Sequence, residues 1–127
     1  MGYTVDLQSD WLWCRSEEDA HAAEAIINED KSFTYYLQVS AQHDGSHWYL
    51  GIEHFQGDHW HEDEANTIWL ALAPHMADDA SIEFQGEDLE RWRIRWKDGR
   101  CFEDRVQEVI WAENAEIDEP TREESRT

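Results

Sequence analysis

Three histidines, His54, His59 and His61, lie within one stretch of eight residues, among Asp58, Glu62, Asp63 and Glu64. Imidazole and carboxylate together are ligands for zinc or another first-row divalent metal. His59 and His61 would share one side of an extended segment. The spacing matches no established zinc motif, and histidines in an acidic loop are ordinarily just solvated. A metal centre is therefore an alternative reading, not the leading one. A second cluster, Arg91, Arg93, Arg95 and Lys97, puts four of the ten basic residues on one face of a strand. Such a stripe is suited to a small anion or nucleotide. Its ordinary use is cross-strand pairing with Glu83, Glu103 and their neighbours.

Nothing else in the chain points to catalysis. A glycosidase needs two placed acids in a cleft, and no pair stands out among the 30 carboxylates. The serines have no nucleophile-elbow context, and the six glycines are scattered singly, with no phosphate-cradling loop. Cys14 and Cys101 are the only cysteines and belong to no Cys-x-x-Cys pair. Without a secretory signal, both are expected to be free thiols. The chain therefore reads as non-enzymatic, with no cofactor expected.

Charge is the most informative feature. The 127 residues carry 30 Asp and Glu against 10 Lys and Arg, a formal charge of -20. Between Lys31 and Arg91 there is no basic residue, and those 59 positions hold twelve acids. The first helical segment adds Glu17, Glu18, Asp19, Glu24, Glu29 and Asp30, so the acidity belongs to the body and not only to the C-terminus. Such a chain repels nucleic acid and anionic membrane at long range, which argues against direct nucleic-acid binding. No apolar run approaches the roughly 18 residues of a membrane-crossing helix. Met1 to Asp10 lacks the basic start and apolar stretch of a signal peptide. The expected location is cytoplasmic, and host-cell cytoplasm for a viral chain.

The elements that must carry these residues follow from periodicity. Tyr3, Val5 and Leu7 alternate with polar residues, and Trp11 and Trp13 keep their parity, so one strand is expected through Ser9 and Asp10, with room for a bulge. Ser16 followed by Asp19 is an N-cap signature, and Ala20, Ala23 and Ile27 make one helical face. Phe33, Tyr35, Leu37, Val39 and Ala41 predict a half-buried strand, paired through a turn at His43–Ser46 with a strand holding Trp48, Leu50 and Ile52. Glu62 to Leu72 is a second helix, with Ala65, Ile68, Trp69 and Leu72 at the spacing of a buried face, ended by Pro74. Ile82 and Phe84 mark a strand, and Trp92, Ile94 and Trp96 another. At Lys97-Asp98-Gly99 a three-residue loop is preferred, because it pairs Ile94 with Phe102 and Arg93 with Glu103.

The expected fold is α+β: a single domain over residues 1–112, followed by an acidic, disordered tail over 113–127. The order matches a ferredoxin-like β-α-β-β-α-β sandwich, with a C-terminal hairpin extending the antiparallel sheet. Most tryptophans take inward parity, and Trp60 is expected to stand exposed at an interface. Exposed strand edges leave monomer and homodimer both open.

Carboxylates two apart on a strand or four apart on a helix recur at about 6–7 Å, a spacing comparable to that of phosphates along nucleic acid. Length, acid-rich body, element order and the hairpin Trp92-Arg93-Ile94-Arg95-Trp96-Lys97-Asp98-Gly99 together resemble small acidic phage-encoded proteins, including DNA-mimic inhibitors of restriction and CRISPR systems. The resemblance is one of style, and no family residue transfers. It implies a non-enzymatic inhibitor that occupies the basic groove of a nucleic-acid-binding protein or complex. On this reading the partner-binding surface is Glu17, Glu18, Asp19 and Glu24, with Asp58, Trp60, Glu62, Asp63 and Glu64. Solvation at high salt is a second use for such a surface, consistent with two lysines against eight arginines.

Overall fold

The Ser16 hydroxyl accepts the Asp19 N–H at 3.1 Å, and the chain turns there into helix α1, Glu17–Asn28. The computed structural model describes residues 3–106. Helix α1 buries Ala20, Ala23 and Ile27. Helix α2, Glu62–Leu72, buries Ala65, Ile68, Trp69 and Leu72. Both faces are those the apolar spacing predicts. Pro74 cannot donate an N–H, and α2 runs into a tighter 3-10 turn at Ala73–His75.

Among the described residues there are seven strands: β1 (Val5–Leu7), β2 (Trp11–Trp13), β3 (Leu37–His43), β4 (Trp48–Phe55), β5 (Ser81–Gly86), β6 (Arg91–Lys97) and β7 (Arg100–Arg105). They form two antiparallel sheets, one of four strands in the order β1-β5-β6-β7 and one of three in the order β2-β4-β3. The architecture is α+β, with the helices and the inner sheet faces sharing one apolar core. Trp96, Phe33 and Phe84 are its largest fully buried side chains.

Three expectations are corrected. The N-terminal strand is broken, not bulged: β1 pairs with β5 and β2 pairs with β4. Parity flips across the break. Leu12 is fully buried, while Trp11 is 48% exposed and Trp13 half-buried on the other face. Gln8 donates its N–H to Glu83, but the Asp10 carbonyl already accepts from Ile52, so the change of partner takes two residues.

The strand expected from Phe33 begins only at Leu37. Phe33–Tyr35 is a 3-10 turn instead, because the Asp30 carboxylate captures the Phe33 N–H at 3.0 Å and the Asp30 carbonyl takes the Thr34 N–H. Local side-chain bonds of this kind compete with a ladder. Phe33 is buried all the same, while Tyr35 is 52% exposed.

The β6–β7 loop has two residues, not three. Asp98 (φ 55°) and Gly99 (φ 73°) are both left-handed, the geometry that matches strand twist in a two-residue hairpin. Arg95 therefore lies opposite Phe102, and Arg93 opposite Asp104. A charge opposite a ring is favourable here, because the guanidinium sits 4.8 Å from the Phe102 centroid as a cation–π contact.

The outer edge of β3 is closed by side chains of α1. The Asn28 amide donates to the Val39 carbonyl at 2.7 Å and accepts its N–H at 3.1 Å, and Glu24 accepts the Ala41 N–H at 3.0 Å. Asn28 thus stands where a neighbouring strand would. Val109, Ile110 and Trp111, whose pattern fits strand and helix alike, and the expected tail over 113–127 lie outside the described residues, as does the expected domain boundary.

Candidate functional site

Both helices begin in acids. Glu17, Glu18 and Asp19 fill the first turn of α1, and Glu62, Asp63 and Glu64 that of α2. Carboxylates at these ends are favoured by the helix dipole, which accounts for part of the pattern without any partner. Beyond that, the acids differ in how much of each is free.

Asp19 binds the His75 ring at 2.8 Å and accepts the Ser16 hydroxyl at 3.0 Å. The His75 hydrogen bond is the main reason its carboxyl lies below the ordinary range. Glu24 is held by the Ala41 N–H. Glu62 pairs with Arg105 at 3.2 Å, and Glu64 accepts the Ser32 hydroxyl. Glu17, Glu18, Asp58 and Asp63 are exposed. Of these, Glu17 lies 3.8 Å from His21, and Asp58 accepts the Thr4 hydroxyl at 3.5 Å.

Trp60 does not stand exposed. It is half-buried, with its ring 5.3 to 6.3 Å from those of Phe33, Tyr36, Phe55 and Phe84, and its backbone N–H donates to the Tyr3 carbonyl at 2.8 Å. It packs against the core as a partly buried side chain.

The three loop histidines are employed separately. The His54 Nε2 lies 3.1 Å from the Tyr35 carbonyl, and the His59 carbonyl accepts the Tyr36 hydroxyl at 2.8 Å. His61 is the N-cap of α2, its Nδ1 accepting the Glu64 N–H at 3.4 Å. Among the described residues, no three His, Cys, Asp or Glu side chains come together as a metal-ligand set. Cys14 is buried and Cys101 half-buried, and both are free thiols. Burial, with a smaller contribution from Asp19, pushes the Cys14 thiol up to about 12, out of the reactive range.

The arginine stripe lies on the outer face of its sheet. Arg93 and Arg95 both reach Asp104 at 2.8 Å, and Arg91 stands 3.8 Å from Glu83. Lys97 is exposed beside the turn. Arg105 pairs with Glu103 and stacks 5.2 Å from the Trp92 centroid. The stripe is thus largely engaged in cross-strand pairing, with Asp104 in the role the other register gave to Glu103.

Hydrogen bonds from Arg95 and then Arg93 bring the Asp104 carboxyl from 3.8 down to about 2. A depressed folded-state pKa stabilises the fold above 3.8, and that stabilisation is lost as pH falls toward about 2. With 35% of the side chain exposed, solvent screening limits the contribution to less than about 1 kcal/mol. Asp104→Asn is expected to lower the melting temperature at neutral pH by about 3 °C. The two proteins should converge as the acid range is entered, and a gap that persists at the acid end would contradict this assignment.

One feature is not legible from alternation alone. Where β1 hands over to β2, a cleft of about 320 Å³ opens, lined by Gln8, Ser9, Asp10, Trp11, Trp13, Asp79 and Ser81. The competing alternation of Leu12 with Cys14 was the signal that could have turned Trp11 and Trp13 outward.

No protein-family model matches the chain, and neither a curated protein nor a solved structure matches it. Among the described residues, no helix is long and apolar enough to cross a membrane.

Proposed function

We propose that this is a non-enzymatic acidic binding protein: an inhibitor that occupies the basic nucleic-acid-binding groove of a host complex, of the anti-restriction or anti-CRISPR kind, by charge mimicry. One observation carries the reading. Residues 16–90 hold eighteen acids and a single lysine or arginine, Lys31, and this segment includes both helices, the β3–β4 hairpin and β5. Carboxylates held on a folded surface are displayed at fixed intervals, as phosphates are. A groove built for nucleic acid is basic and would gain by exchanging one polyanion for another. Glu17, Glu18, Asp58 and Asp63 are the residues this reading puts at the contact, because they are the exposed members of the acidic set other than Glu62, which Arg105 holds.

The architecture is further read as a ferredoxin-like sandwich extended by the β6–β7 hairpin. Support comes from treating β1 and β2 as one interrupted strand. That strand then lies between β5 on one side and β4 on the other, with β3 beyond β4, the neighbours such a plan gives its first strand.

The test is affinity capture from a prokaryotic lysate, followed by challenge with duplex DNA or RNA. The expected result is one nucleic-acid-binding complex, released by competing nucleic acid and by moderate salt. Glu17→Gln, Glu18→Gln and Asp63→Asn together should weaken capture about tenfold or more with the fold intact, as loss of clustered charge does in a polyelectrolyte contact. Retention that competing nucleic acid leaves untouched would overturn the proposal, as would recovery of no such complex.

A further inference from the structure

We infer that the cleft at the strand break is a receptor for a cationic side chain, a guanidinium carried by a basic partner. The inference takes the sign of the partner's charge from the function proposed above, but the cleft itself stands on its own geometry. Its aromatic wall is Trp11 and Trp13, with ring centroids 6.2 Å apart and planes at 75°, so that the two indoles make a corner. Trp13 is braced edge-on by His47 and Tyr49, each 5.6 Å away, and Trp11 presents about half its surface to solvent. The same cleft is lined by two acidic residues, Asp10 and Asp79, and by Gln8, Ser9 and Ser81.

The backbone adds acceptors. Alternate residues of a strand bond to opposite sides. The Ala80 carbonyl accepts the Trp96 N–H, so Ser81 turns its own carbonyl away from β6 and toward the cleft. The Asp10 carbonyl accepts the Ile52 N–H, so Trp11 turns its carbonyl away from β4 to the same space.

Two indoles, two acidic residues and two carbonyls form a set that suits a planar cation with several N–H donors. Indole is the best cation–π surface among side chains, and guanidinium offers five donors in one plane. No lysine or arginine lines the cleft. Arg95, which feels the charge of Asp79, is already held by Asp104 at 2.8 Å and stacked on Phe102. The field of a chain with net charge -20 favours a cationic occupant over a neutral one.

The probe is N-acetyl-arginine amide, with the citrulline analogue as its neutral isostere, added to the full chain while the Trp11 and Trp13 indole resonances are followed. Saturable shifts with the arginine compound and none with citrulline are expected. Trp11→Ala and Asp79→Asn should each weaken binding about fivefold or more. Trp11 is half exposed, so its replacement leaves the core in place, and Asp79→Asn retains the shape of the side chain. Equal binding of citrulline or of a neutral sugar would overturn the inference, as would shifts that do not saturate. The probe needs no partner protein. Arginine binding without capture of a nucleic-acid-binding complex would leave the cleft standing and the mimicry reading fallen. Capture without arginine binding would do the reverse.

Discussion

Trp96→Ala is expected to cost about 4 kcal/mol, in the range found when a buried tryptophan is cut back to alanine. The residue is fully buried, one position from the C-terminal end of β6, with its ring 6.2 Å from that of Trp69. Volume is only part of its contribution. Pro74 has no N–H for the Leu70 carbonyl, so the Ala73 N–H goes there instead. The Trp69 carbonyl is taken by the Trp96 indole N–H at 3.0 Å. The indole thus ties the last turn of α2 to the sheet while satisfying a helix end. Trp96→Phe keeps a six-membered ring but removes that bond and part of the buried volume, which should cost about 2–3 kcal/mol. Domains of this size have roughly 5–15 kcal/mol to lose, so the alanine variant should sit near its unfolding threshold at physiological temperature. Urea titration of the three proteins measures both steps. A loss below about 1 kcal/mol for the alanine variant would mean that Trp96 is not the core anchor described.

Gly57→Ala should be nearly as damaging, for a different reason. A Cβ at Gly57 would lie 1.8 Å from the Val5 carbonyl oxygen and 2.9 Å from its carbon. Those atoms are backbone, and the Gly57 carbonyl also accepts the Val5 N–H at 3.1 Å. The chain can accept the methyl only by moving β1 away, at a cost of about 3 kcal/mol or more. Gly86→Ala is the control. Its Cβ would meet the Tyr3 hydroxyl at 2.0 Å and Glu90 Oε1 at 2.6 Å. These are ends of flexible side chains that can swing aside, so the expected loss is about 1 kcal/mol. Hydrogen exchange should show β1 amides losing protection first in the Gly57 variant. Equal losses at the two glycines would show that the backbone clash is relieved without moving β1.

Much of the fold was legible because its causes are local. Ser16 capping Asp19, the apolar spacing of Ala65 to Leu72 and the alternation of Trp92 to Trp96 need no distant partner to be read. The broken strand was not legible, because parity along Tyr3 to Trp13 says nothing about which strand lies beside each half. The β6–β7 register was misjudged by treating Arg95 opposite Phe102 as a conflict when it is a cation–π contact. The acidic character of the surface was plain from composition. Which acids are already engaged was not, since Asp19 meets His75, Glu62 meets Arg105 and Glu64 meets Ser32 across long stretches of chain. Trp60 was misjudged likewise, because its neighbours come from four separate segments.

The closure of β3 by Asn28 has a kinetic side. A strand edge covered by another strand is uncovered only when backbone pairing breaks, often on the timescale of local unfolding. Here the cover is two side chains of α1, the Asn28 amide and the Glu24 carboxylate, and side chains at a surface change rotamer in about picoseconds to nanoseconds. The Val39 N–H and carbonyl are therefore protected by how rarely the amide leaves, and not by how slowly. Any chain able to pair with β3 competes with Asn28 at equilibrium from the moment of encounter, without waiting for the domain to open.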